Sequence, residues 1–267
     1  MTDHPVHIPD LPSEQGIDRL VAILEPLARV TQPKVYGIER VPDDGVLFVG
    51  NHTIFGFMDL PFMMAELWKR RRMTVRGLGE HAHYAIPLWR DLLGVCGMVR
   101  GTRDNVRALM RDKQNVLVFP GGAREVNKRR GEKYQLMWKE RLGFARLAIE
   151  HDYPIVPFAA VGAEEMLDVV VDVDNPVVSA FKTAVERFGR LPLEPSLVRG
   201  VGLTPLPRPE RLYFWFGEPI ATAGREPEDV RDEVKAAIEG GIVFLHDERE
   251  NDPHRGLLPR LRRRLDE

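Results

Sequence analysis

Short apolar runs closed by glycine or proline recur along this chain, and the segments between them repeat at helical spacing. Stretches 46–50, 115–120, 154–161 and 211–216 are too short for helices and rich in β-branched and aromatic residues, as buried strands are. Stretches 34–39, 74–78 and 95–99 read as further strands. Helices are expected over 13–30, 59–72, 83–94, 104–113, 135–150 and 226–245. The first of these carries Ile17, Leu20, Val21, Leu24, Leu27 and Ala28 on one face, with Ser13 as its cap. Strands alternating with helices need right-handed crossovers, which build a mostly parallel or mixed sheet flanked by helices. The expected architecture is one α/β domain. Residues 1–33 form an arm with an amphipathic helix, 34–247 the body, and 248–267 a basic tail.

A length of 267 residues, 43% of them hydrophobic, suffices for a single core of this kind. Net charge of −2 argues against general nucleic-acid binding, which needs a basic excess. Cys96 is the single cysteine, set in the apolar stretch 92–98, so it is expected to be small, buried and reduced, in a cytoplasmic setting. The N-terminal residues lack the pattern of a signal peptide, and no apolar stretch is long enough to span a bilayer. Contact with a membrane is then peripheral. The candidates are a basic amphipathic helix over 177–190, the apolar Pro-rich loops 191–195 and 203–209, and the tail arginines Arg260, Arg262, Arg263 and Arg264.

Two places concentrate chemistry. Strand 46–50 ends in Gly50-Asn51 and delivers His52 to a loop, after which Gly56, Asp59 and Pro61 announce a helix. Histidine titrates near neutrality, so at a strand end it is suited to take a proton from a hydroxyl and return it. The alternative is a polar strand-end residue, with Asp59 only capping the helix. The second place is Phe119-Pro-Gly-Gly-Ala-Arg124, where Gly121 and Gly122 let the backbone turn tightly and bring N–H groups toward an oxyanion or phosphate. From Arg124 to Arg141 seven cations face three acids, either an anion site or a solvated face. His81 and His83 have no third ligand nearby in sequence, so no metal site is expected.

Taken in order, Gly50-Asn-His52 with Asp59, Gly97-Met-Val-Arg-Gly-Thr-Arg103, Phe119-Pro-Gly-Gly-Ala-Arg124 and Pro154-Ile-Val-Pro157 resemble the four-block pattern of the glycerolipid acyltransferase superfamily. The block at Phe119, followed by Tyr134, Trp138 and Arg141-Leu-Gly-Phe-Ala-Arg146, is most similar to the diacylglycerol-acyltransferase-like branch. The resemblance implies transfer of a fatty acyl group from a thioester to a hydroxyl. His52 would be general base, Asp59 its partner, and Arg100, Arg103, Gly121, Gly122 and Arg124 substrate-binding. It implies no resident cofactor, acyl-CoA or an acyl-carrier protein as donor, a lipid acceptor and a membrane surface as partners. Two departures stand out. Six residues separate His52 from Asp59 where the family has four, so the chain must fold back near Gly56 for the pair to meet. Gly121 and Ala123 stand where the family carries glutamate and threonine, which favours a less polar acceptor: a mono- or diacylglycerol, or a long-chain alcohol. The alternatives are a lysophosphatidic acid acyltransferase, an acyl-CoA thioesterase and a non-catalytic lipid-binding protein.

Overall fold

The computed structural model describes residues 6–43, 45–53, 56, 58–79, 84, 87–171 and 197–266. In chain order the elements are α1 (Glu14–Thr31), β1 (Lys34–Tyr36), a 3-10 turn (Ile38–Arg40), β2 (Leu47–Gly50), α2 (Leu60–Arg71), β3 (Arg76–Gly79), α3 (Pro87–Val95), β4 (Val99–Arg100), α4 (Arg103–Arg111), β5 (Val116–Val118), α5 (Ala123–Val126) and α6 (Gly143–Glu150). There follow β6 (Ile155–Val161), α7 (Ala163–Met166), β7 (Asp168–Val171), β8 (Leu197–Arg199), β9 (Tyr213–Phe216), α8 (Pro227–Glu250) and α9 (Leu257–Asp266). Seven strands form one sheet in the order β1-β9-β6-β2-β5-β3-β4, and β7 and β8 form a separate antiparallel pair. From β6 to β4 the strands run parallel, while β9 pairs antiparallel with β6 and parallel with β1. This is the expected mixed sheet, single domain, with helices on both faces.

The strands alternate between two cores because successive side chains point to opposite faces. Leu47 and Val49 join Val116, Ile155 and Ala159 under α4, α6 and α8. Phe48 joins Leu117, Val156 and Phe158 under α2. All seven residues of β6 are buried, as a strand covered on both faces requires. On α8, Val230, Val234, Ile238, Ile242 and Leu245 make a buried stripe. Each contributes roughly 1.5–3 kcal/mol from leaving water. Ser13 caps α1 by accepting the Gly16 N–H at 3.2 Å, and Trp68 Nε1 of α2 and Arg72 just past its end both donate to Asp18, at 2.8 and 3.0 Å. The arm is thus docked on the body, leaving Ile23, Leu27 and Val30 exposed on its outer side.

The structure corrects several expectations. Only the second half of 135–150 is helical: Lys139, in the middle of the first half, has a left-handed φ of 50° that a helix cannot hold, and the backbone N–H groups of Tyr134 and Met137 go to the carboxylates of Glu164 and Glu125, at 2.7 Å each. Strand 34–39 ends at Tyr36 and tightens into the 3-10 turn. Cys96 is exposed, because of the stretch around it only Leu93, Gly97 and Val99 turn inward. α8 runs on through residue 247 to Glu250. The tail is helical and tied down. Arg260 is buried, donating to the carbonyls of Arg255 and Pro209, and the adjacent Asp252 accepts from Arg211 and Tyr213. The expected helix 177–190, the loop 191–195, His81 and His83 lie outside the described residues. No helix among the described residues is long and apolar enough to cross a membrane.

Candidate active site

β2 is the middle strand of the sheet, and its carboxyl end hands the chain to His52 in the crevice where open α/β sheets place ligands. Asn51 fixes that exit. Its side chain extends the β2–β6 ladder by donating to the Ala160 carbonyl at 3.0 Å and accepting the Ala160 N–H at 2.8 Å. The imidazole of His52 lies 4.0 Å from the Phe119 ring, tilted 32° to it. On another side is Gly56, whose φ of +64° and N–H to Thr53 carbonyl bond at 3.1 Å fold the chain back over the ring. A Cβ at Gly56 would collide with His52 Cε1, so this turn demands glycine for space as well as for backbone conformation.

The fold-back brings Asp59 to the same place. His52 and Asp59 line one narrow cleft together with Asn51 and Thr53 and with the apolar Leu60, Met63, Phe119, Phe158, Ala160 and Phe214. The Asp59 carboxylate is buried and accepts the Thr53 hydroxyl at 2.9 Å. It stands at the start of α2 without capping it. Burial pushes its carboxyl up to about 6, against the opposing pull of the Thr53 hydroxyl and the Leu60 backbone N–H.

That shift has a sign for stability. Between the ordinary carboxyl value and about 6 the folded protein holds a proton that the unfolded chain has lost. The contribution of Asp59 is therefore full at low pH and declines as pH rises through about 6. Asp59→Asn is expected to be more stable than wild type at pH 7.5 by about 1–3 kcal/mol in urea unfolding, the gap narrowing to roughly half at pH 5. A variant less stable than wild type at pH 7.5 would show instead that a cation holds the carboxylate ionised.

Beneath the histidine lies a network that the sequence reading missed. The His52 peptide is gripped on both sides: its N–H donates to Glu125 Oε2 at 3.1 Å and its carbonyl accepts Lys128 Nζ at 2.9 Å. Lys128 also forms a buried ion pair with Glu164. Tyr134, in turn, donates its hydroxyl to Glu165 and accepts the Gly162 N–H. Burial raises the carboxyls of Glu125 and Glu164 despite the ammonium between them. Glu125 fills the space that a side chain on residue 121 would occupy, since a Cβ there would run into its carboxyl group. Its carboxylate turns to backbone N–H groups and away from the cleft. Part of the charge in the 124–141 run, Glu125 and Lys128, is therefore internal. The available signal was Glu164-Glu165, separated by two residues from the end of a wholly apolar strand.

The other expected site residues divide. Gly121 and Gly122 adjoin His52 through Phe119 and Glu125. The Gly122 N–H donates to the Phe119 carbonyl at 3.0 Å, and its φ of +54° opens α5. Arg124 pairs with Glu132 and donates to the Asn127 carbonyl at 3.2 Å. Arg100 and Arg103 are not brought to the cleft. Arg100 ends β4, the edge strand three places from β2 and so about 14 Å away. Its guanidinium stacks on Tyr84 at 5.3 Å, and Arg103 opens α4 in the exposed surface.

Residues 32–161 match the family model described as Acyltransferase. Phytyl ester synthase 1, chloroplastic, of Arabidopsis thaliana is 35% identical over 259 residues, which is 85% of this chain and 36% of that protein. The DGAT1/2-independent enzyme synthesizing storage lipids of Homo sapiens is 26% identical over 221 residues, 82% of this chain and 62% of the relative. The chain thus spans about a third of the length of the first and less than two thirds of the second. Among solved structures, the 1-acyl-sn-glycerophosphate (LPA) acyltransferase PlsC from Thermotoga maritima shares the fold with a TM-score of 0.54 at 18% identity, covering 87% of this chain and 78% of that one. The family match runs from β1 to the end of β6, the part of the sheet that carries His52, and together with the relatives it supports a place for this chain among the acyltransferases.

Proposed function

We propose that this protein transfers a fatty acyl group from an acyl thioester, acyl-CoA, to a hydroxyl of a neutral lipid or glycerolipid. The observation that carries this reading is the cleft itself: one histidine and one buried carboxylate in a mostly apolar wall at the carboxyl end of the central strand. His52 takes the proton of the acceptor hydroxyl as its oxygen attacks the thioester carbonyl. The tetrahedral oxyanion is met from the Gly121–Gly122 turn. Gly121 supplies the N–H, since that of Gly122 closes the turn, and Arg124 adds positive charge. Collapse expels the thiolate, which recovers the proton from the imidazolium. Asp59 stabilises that imidazolium from across the cleft and needs to be ionised to do so, which places an acid limb near pH 6 on the rate. No acyl-enzyme is required, because the attacking oxygen belongs to the acceptor.

The apolar lining supports a weakly polar acceptor, a diacylglycerol or long-chain alcohol, over a lysophosphatidic acid. So do the names of the relatives, a phytyl ester synthase and an enzyme of storage lipids. The test is the dependence of thiol release on acceptor. Release from acyl-CoA is expected to rise at least tenfold when a lipid alcohol is added, and equal release without it would mean a hydrolase.

Membrane contact, in this reading, is peripheral and made by the outer stripe of α1, where Ile23, Leu27 and Val30 are 71%, 56% and 36% exposed. Leu27→Ser with Ile23→Ser is expected to reduce co-sedimentation with lipid vesicles several-fold. Undiminished sedimentation would assign that contact elsewhere.

A further inference from the structure

Two apolar elements project into solvent from the same end of the sheet as the cleft. The first is the loop from Gly200 to Pro207, which carries no charge and leaves Leu203 89% and Leu206 64% exposed. The loop is bonded to itself: the Gly200 N–H donates to the Thr204 carbonyl at 2.6 Å, the Val201 N–H to the Leu206 carbonyl at 2.8 Å, and the Thr204 hydroxyl to the Val201 carbonyl at 2.8 Å. Pro205 and Pro207 have no N–H to satisfy. A turn that meets much of its own backbone demand is suited to an apolar medium, where water is not there to meet it. The second element is α9, whose Leu258 and Leu261 share its outer face, 69% and 45% exposed.

Both elements hang from the segment 208–211. Arg208 fixes the foot of the loop, giving its N–H to the Met166 carbonyl at 3.0 Å and its guanidinium to the Glu165 carbonyl and Asp168. Arg260, on the inner side of α9, donates to the Pro209 carbonyl. Arg211 donates to Asp252 and to the Gln32 carbonyl just past α1, each at 2.9 Å, and the Leu212 N–H goes to the Thr31 carbonyl at 3.1 Å. β9 starts here, antiparallel to β6 with Tyr213 opposite Val161. The segment therefore stands at the carboxyl end of β6, beside the end of β2 that carries His52. A buried knot of charge holds the exposed leucines out at the end of the sheet where the cleft lies.

The exposed charge among them has one sign. Arg255 and Arg262 are exposed on and before α9, and Arg199 at the foot of the loop. Stretches 199–209 and 251–262 contain a single carboxylate, Asp252, and it is buried. Leucines interspersed with arginines match an anionic lipid surface, which offers acyl tails to the first and phosphates to the second. A second copy of the same face would set arginines against arginines.

We propose that loop 200–207 and the outer face of α9 dock this protein on an anionic bilayer, with the cleft end of the sheet turned to the lipid. α1, tied to the same segment through Thr31 and Gln32, meets the bilayer beside them. Docking is read without any substrate, so it stands or falls apart from the acyl-transfer reading.

The test uses the full chain and co-sedimentation with vesicles of phosphatidylcholine, with and without phosphatidylglycerol. Leu203→Ser/Leu206→Ser and, independently, Leu258→Ser/Leu261→Ser are each expected to weaken binding to the mixed vesicles at least fivefold. Arg255→Gln/Arg262→Gln is expected to remove most of the preference for mixed vesicles over phosphatidylcholine alone. The altered side chains are exposed, so urea midpoints should stay close to wild type. Leu203→Trp gives a reading that needs no loss of binding: its emission is expected to shift to the blue on mixed vesicles and to be quenched by brominated lipid. Unshifted, unquenched emission would overturn the proposal, as would wild-type sedimentation of both leucine variants. Light scattering in which the leucine variants turn a dimer into a monomer, with vesicle binding intact, would also overturn it and give the face to a second copy.

Discussion

Replacing His52 by glutamine is expected to slow acyl transfer by about 10²–10⁴-fold, the usual range for a removed general base, with the fold intact. The interactions that locate residue 52 are made by its backbone, through Glu125 on one side and Lys128 on the other, and by Asn51 before it. A glutamine keeps all of these and presents a polar head of similar reach. The change removes the imidazole, with its face against Phe119 and its proton chemistry. Urea unfolding of the variant should therefore stay within about 1 kcal/mol of wild type, as for changes that neither open a cavity nor strand a charge. A comparable loss of stability and rate would mean that His52 serves the structure first.

The second large effect is on stability. Lys128→Met is expected to cost about 3–5 kcal/mol, because removing one member of a buried ion pair leaves an uncompensated charge in low dielectric. Here the loss is compounded: Glu164 loses its partner, Glu125 loses the nearest cation, and the His52 carbonyl loses its donor. Methionine keeps most of the volume, so the effect belongs to charge and hydrogen bonding. The double variant Lys128→Met/Glu164→Gln should recover a substantial part, with a coupling of roughly 1–3 kcal/mol in a double-mutant cycle. A single variant within 1 kcal/mol of wild type would contradict the view that the network under His52 is a structural clamp. Since domains of this kind have only about 5–15 kcal/mol to lose, urea midpoints rather than activity should be compared.

The strands and their alternation with helices were legible because a strand covered on both faces must be apolar throughout, and β2, β5 and β6 are. The His52 and Asp59 pair was legible as residue types but not as geometry. Nothing in the spacing says that Gly56 turns left-handed over the ring, yet that turn shares one cleft between residues separated by six others. The clamp was not legible at all. Glu125, Lys128, Glu164 and Tyr134 meet only after β5 and β6 have paired with β2, and in sequence two of them sit in a run of surface-like charge. The failed first half of helix 135–150 has the same origin, since tertiary contacts to Glu164 and Glu125 hold a path whose left-handed turns at Tyr134 and Lys139 local propensity does not announce. Arg100 and Arg103 illustrate the opposite limit. A motif read in order along the chain does not say how many strands will separate its parts.

The central claim is that His52 activates an acceptor hydroxyl for attack on a thioester. Mass spectrometry of the products from purified protein incubated with acyl-CoA and a panel of lipid alcohols and acylglycerols tests it most directly. The account predicts a new ester in amount equal to the thiol released by wild type, and at least a hundredfold less from the folded His52→Gln variant. Free fatty acid as the only acyl product, or ester formed equally well without the histidine, would contradict it.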